Sequence, residues 1–80
     1  MKLKYVRHSI AGFIVWPGDT DLYHAHIGRV ANRETQGSVL SAGFCSFSSD
    51  GVRCFGKSES LGIGSRPEDG DLLAEQMGLV

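Results

Sequence analysis

From "LSAGFCSF" through "SSDG" to "VRCFGKS", residues 40–58, two runs rich in Phe, Val and Cys flank a short polar turn carrying Asp50 and Gly51. That pattern specifies a β-hairpin, and with it an antiparallel sheet. Its register decides which side chains share a face, because a slip of two residues preserves the side and a slip of one reverses it. A two-residue loop at Asp50-Gly51 and a four-residue loop from Ser48 to Gly51 both place Cys45, Phe47, Val52 and Cys54 on one face. Phe44 and Phe55 then face the other way. Only the four-residue loop sets Cys45 opposite Cys54, and a three-residue loop with a glycine bulge would part the cysteines. Two cysteines nine positions apart are neither a zinc ribbon nor a disulfide scaffold, so free buried thiols are expected.

The amino-terminal sixteen residues hold Tyr5, Val6, Ile10, Phe13, Ile14, Val15 and Trp16, which reads as one long strand or two short ones. Ala11 and Gly12 mark a bulge or sharp bend within it, and Pro17 ends it. At the other end, "SRPEDGDLLAEQMGLV" reads as a helix. Ser65 and Glu68 have capping-box spacing, Pro67 suits the first turn, Asp69 and Asp71 suit the helix dipole, and Leu72, Leu73 and Met77 form an inward stripe.

Between these lies "DTDLYHAHIGR", with two carboxylates and two of the three histidines in eight positions. Imidazole and carboxylate suit a divalent transition metal, so Asp19, Asp21, His24 and His26, with His8 or a cysteine completing the set, form a candidate metal site. Geometry decides. In a strand, His24 and His26 share a face and could chelate one ion; in a helix, residues two apart diverge by about 200°. Asp19 and Thr20 as caps, Asp21 in the first turn and Arg29 and Arg33 in the last favour a helix over residues 21–32. Its stripe would be Tyr23, Ile27, Val30 and Ala31, with His26 at the edge, His24 on the far side, and Gly28 costing roughly 1 kcal/mol relative to alanine. No cofactor is then required.

An 80-residue chain buries only about 60 % of the surface its unfolded form exposes, so the core is thin. An apolar fraction of 41 % and eight Lys and Arg against nine Asp and Glu describe one ordinary globular domain over residues 1–80. Lys2, Lys4 and Arg7 make the start basic, while Glu68, Asp69, Asp71 and Glu75 make the end acidic, so the ends attract within a monomer or head to tail between copies. The apolar run Ile10–Trp16 is short for a secretory signal and far short of the ~20 residues needed to span a bilayer. A cytoplasmic protein without a membrane partner is expected.

"SLGIGSRPED" lacks the spacing of a phosphate loop and sets Glu68 and Asp69 where the phosphate would sit, leaving Arg66 as the one candidate anion contact. The basic strand Lys2, Lys4, Arg7, His8 with Tyr5 is broken by Val6, and the net charge is −1, so nucleic acid is disfavoured as a partner. No nucleophile elbow or electropositive cysteine marks an enzyme. The expected fold is α+β in the order β-α-β-β-α: a small antiparallel sheet of three or four strands with two helices on one face. Trp16, Phe13, Phe47 and Val52 would pack against Leu22, Ile27, Leu72 and Met77. Phe44, Phe55 and Lys57 would lie on the uncovered face, where an exposed apolar patch serves a protein partner or a second copy. The expectation is a non-enzymatic interaction module, with a metal-binding protein using His24 and His26 as the alternative.

Overall fold

The computed structural model describes residues 2–80. The expected α+β class and antiparallel sheet are present. Strands β1 (Leu3–His8), β2 (Gly12–Pro17), β3 (Val39–Ser48) and β4 (Gly51–Phe55) form one sheet in the order β2-β1-β3-β4. Helix α1 (His24–Thr35) connects β2 to β3. A two-stranded ribbon, β5 (Lys57–Ser58) and β6 (Ile63–Gly64), precedes helix α2 (Asp69–Gln76).

The amino-terminal run makes two strands, joined by a tight turn over Ser9–Ala11 and entered again at Gly12, whose φ of +78° suits glycine. His8 holds this turn. Its Nδ1 accepts the N–H groups of Ile10 (3.2 Å) and Ala11 (3.1 Å), and Nε2–H donates to Asn32 Oδ1 (2.8 Å) on α1. The β3–β4 hairpin takes the register that opposes Cys45 to Cys54 and Phe44 to Phe55, with pairing continued to Ser48–Gly51. Both thiols are free.

The two helices do not share a face of the sheet. Tyr5, Cys45 and Leu73, with Phe13, Val15 and Val52, form the core beneath α2. Val6, Trp16 and Ala42, with Ile14, Ile27, Val39 and Leu61, form the core beneath α1. The expected single core of Phe13, Phe47 and Val52 with Trp16 therefore divides, and Phe47 joins neither part, lying 40 % exposed beside Val52 on the α2 side. The reason is strand geometry: Phe13 and Trp16 are three apart on β2 and must project to opposite sides. Both sides of the sheet are apolar, so each needs its own cover. Of the expected helix contacts Ile27 packs against the core and Leu72 is half-buried, but Leu22 and Met77 are exposed, and the buried leucine of α2 is Leu73.

Helix α1 begins three residues later than expected, at His24, and its buried positions are His24, Gly28 and Ala31, while Tyr23 and Val30 are exposed. A glycine at 28 serves close packing, since a Cβ there would stand 3.0 Å from Val39 Cγ2. The expected caps Asp19 and Thr20 lie in the turn before the helix. At α2 the expected Ser65–Glu68 box is not formed; instead Arg66 N–H donates to Asp69 Oδ2 (3.0 Å), and Asp69 N–H donates to the Arg66 carbonyl (3.0 Å).

Candidate functional site

Asp69 opens α2 and is fully buried against β1. Tyr5 OH donates to its Oδ2 at 2.5 Å, and Arg7 Nη1 reaches its Oδ1 at 3.1 Å and Glu68 Oε2 at 3.2 Å. Burial pushes the Asp69 carboxyl up, but the hydrogen bonds from Tyr5, the Arg66 N–H and Arg7 outweigh it and hold the group below its ordinary range. The Tyr5 phenol is raised, by burial first and then by the adjacent carboxylate. Attraction between the basic start and the acidic end of the chain is thus used inside the monomer. Ser41 Oγ is also buried and has no hydrogen-bond partner among the described residues. The opposed thiols of Cys45 and Cys54 are pushed up to about 11 and about 12, by burial in both cases, which keeps them poor nucleophiles. The groups beneath α2 on this side form a structural core, with Phe47 exposed beyond its edge.

The α1 face differs. Helix α1 covers the part of the sheet that carries Val6, Ile14 and Ala42, and β5–β6 lies alongside it, where Ser60 Oγ accepts the Ala25 N–H at 3.1 Å. Below the start of α1 the register aligns Trp16, Lys4, Phe44 and Phe55 across four strands, and Ser46 and Arg53 follow in the next row. No helix covers the β3–β4 end of these rows. The Phe44 and Phe55 rings, both half-buried, lie nearly parallel with centroids 6.2 Å apart.

Cations surround this pair. Lys2 Nζ sits 4.4 Å from the Phe44 centroid, and the Arg53 guanidinium 5.8 Å from that of Phe55, both at cation–π range. Lys4 Nζ donates to the carbonyls of Thr20 and Leu22, 3.1 Å each, and lies 5.7 Å from the Tyr23 ring. These bonds, with Trp16 Nε1–H donating to Leu22 O (3.1 Å), fix the turn that holds Asp19 and Asp21. Lys4, Tyr23, His24, Phe44, Lys57, Glu59 and Ser60 line an open groove of about 690 Å³. Among the described residues the ion pairs are those of Arg7, so the four cations of this face are unpaired.

His24 forms the inner wall of the groove. It is buried edge-on against Trp16 and Phe44, and its Nε2–H donates to Gly43 O at 2.7 Å. Burial lowers its pKa and the nearby Lys4 charge adds to the fall, against the bond to Gly43.

Phe44 and Lys57, two of the three residues expected at a binding surface, line the groove, and Phe55 lies beside it. The candidate metal residues stay apart. His8 spends both ring nitrogens and His24 its Nε2 on protein partners, and His26 is exposed, its Nδ1 turned back to the Tyr23 N–H at 3.5 Å. Asp19 and Asp21 are exposed in the preceding turn. Among the described residues no three His, Cys, Asp or Glu side chains converge in a way that could hold a metal ion. Arg66 is exposed at the start of α2 beside Glu68.

Sequence reading missed Arg53, Tyr23 and Ser60, and set Lys2 only in the disfavoured basic strand. Arg53 was recoverable, because it shares a strand side with Phe55. Tyr23 and Ser60 reach the groove only through the packing of α1 and β5–β6. Among the described residues no helix is long and apolar enough to cross a membrane. Compared with family models, curated proteins and solved structures, the chain matches none.

Proposed function

We propose that this chain is a non-enzymatic binding module whose contact surface is the uncovered part of the α1 face, centred on Phe44 and Phe55 and continued into the groove by Tyr23, His24 and Lys57. One observation carries the reading. Two aromatic rings are stacked at the surface of the sheet with Lys2 and Arg53 at cation–π range of them, and Lys4 and Lys57 line the groove beside Phe44.

A thin core gains from covering such rings, so leaving them half-open forgoes burial worth roughly 25 cal/mol per Å². A surface with that composition suits a partner that buries it. The buried clusters lend no support to catalysis: their thiols, phenol and carboxylate are shifted away from neutral pH, whereas a general acid or base is tuned toward it.

The test is to record the amide spectrum of the ¹⁵N-labelled protein while raising its own concentration, and while adding an acidic peptide or an oligonucleotide. A protein partner, a second copy and a polyanion are all readable in this way. Resonances of Phe44, Ser46, Arg53, Phe55 and Lys57 should shift together with at least one of them. If none of the three moves these amides, the reading is abandoned.

A further inference from the structure

We propose that this surface binds single-stranded nucleic acid, with Phe44 and Phe55 as a stacking platform for bases and Lys2, Arg53 and Lys57 as phosphate contacts. The inference rests on the reading of the α1 face as the contact surface and names its partner. Sequence alone disfavoured this partner, on a net charge of −1 and on a basic strand broken by Val6. The fold removes both objections. Val6 is fully buried under α1, and Arg7 turns to the other face, where Glu68 and Asp69 neutralise it. The excess negative charge is on α2 and its approach, at Glu68, Asp71 and Glu75, across the sheet from the aromatic pair.

On the α1 face the strand positions carry no carboxylate: β1 contributes Lys4, β3 contributes Phe44, Ser46 and Ser48, and β4 contributes Arg53 and Phe55. Glu59 is the carboxylate within the groove, while Asp19 and Asp21 lie on the turn pinned by Lys4, Glu34 on α1 and Asp50 at the hairpin tip. Cations interleaved with flat rings on neighbouring strands match a chain that repeats a phosphate and a planar base. An acidic peptide would engage the cations but bring no regular flat partner for the two rings. A duplex keeps its bases stacked on one another and out of reach of rings lying in a sheet surface. The cations over Phe44 and Phe55 stand where a base would stack, so they shift toward the phosphates as the base arrives.

The experiment is fluorescence anisotropy of the full chain with a labelled oligothymidylate of about ten nucleotides, the size one small module occupies. Binding should weaken with salt with a slope of about 2 in log Kd against log salt, as for three phosphates neutralised on a single strand. Phe55→Ser should weaken it about tenfold, the loss of one stacked base. Arg53→Glu combined with Lys57→Glu should weaken it at least tenfold and flatten the salt dependence. Those two positions are exposed, so this variant keeps the test independent of any effect of Phe55→Ser on folding.

Absence of binding at low salt, equal affinity for a duplex of the same length, or indifference to the charge-reversed variant would each overturn the proposal. If an acidic peptide shifts the Phe44, Arg53 and Phe55 amides and the oligonucleotide does not, the partner assigned is wrong and the contact surface stands. If neither does, and concentration does not either, both fall.

Discussion

On the α2 side of the sheet a carboxylate, a phenol and a guanidinium are brought together beneath a helix of eight residues. On the α1 side a helix of twelve residues covers half the sheet and leaves two stacked phenylalanines beside unpaired cations. The α2 side spends its charges on one another, through Arg7, Asp69 and Glu68, whereas on the α1 side Lys4 is spent on backbone carbonyls and Lys2, Arg53 and Lys57 make no ion pair among the described residues. Charge of one kind is thus a fastener in one half of the molecule and part of the proposed contact surface in the other. The difference lies in whether a carboxylate is packed within reach.

Breaking the fastener should give the largest effect. Asp69→Ala strips the acceptor from Tyr5 OH, Arg7 and the Arg66 N–H at once, and should cost about 3 kcal/mol in urea unfolding, as removal of one buried charged partner does. Tyr5→Phe, which removes a single donor, should cost clearly less. Equal costs for the two would mean that the carboxylate is not the hub.

The same bonds set an acid dependence. Because the folded state holds the Asp69 carboxyl below its unfolded range, its contribution is fully present above about pH 4 and is lost as pH falls through the lower folded value. Denaturant midpoints taken from neutral pH downward should fall in that window for the wild type, and Asp69→Asn should remove that part of the fall.

An intermediate effect is expected at the β2 edge. The Gln76 side chain pairs with Phe13 like a short extra strand, Oε1 accepting its N–H at 2.8 Å and Nε2–H donating to its carbonyl at 3.1 Å. Gln76→Ala should lower stability by about 1 kcal/mol and speed amide exchange at Phe13. Unchanged exchange there would show that the edge does not need this cover.

On the open side His24 provides a gentler probe. Its folded pKa is lowered, so the stability it contributes is intact above the unfolded value of about 6.5 and is lost as pH falls through the folded one. Wild-type stability should therefore decline below about pH 6.5, before the Asp69 window opens. His24→Phe should be flat over that interval, and a parallel decline in the variant would assign the effect to another group.

The smallest effect belongs to the contact surface itself. Arg53→Glu should change stability by no more than about 0.5 kcal/mol, since the side chain is exposed and makes no ion pair among the described residues. A loss approaching that of Asp69→Ala would erase the contrast between the two sides.

Much of this architecture is legible in local pattern. The hairpin around Asp50, the break before Gly12, the stop at Pro17 and the two helices follow from turn chemistry and side-chain period. The β3–β4 register was among those the loop allowed. Parity carries more than the hairpin alone: Phe13 and Trp16, at odd spacing, already require apolar cover on both faces. The site was half legible. Phe44 and Phe55 face away from the cysteines in any even register, whereas the fate of "HAH" depended on a backbone period that local signals left close to balanced.

The sequence by itself determined which elements form and which residues alternate across each strand, because backbone sterics and hydrophobic period act over a few residues. Only the tertiary structure decided that His24 is buried on Gly43, that Asp69 is a buried hub instead of a helix-end charge, and that Lys2 and Arg53 lie over the aromatic pair. Each of those outcomes joins groups from different elements: His24 meets Gly43 across 19 residues and Tyr5 meets Asp69 across 64. No local pattern encodes a partner that the chain meets only after it has packed.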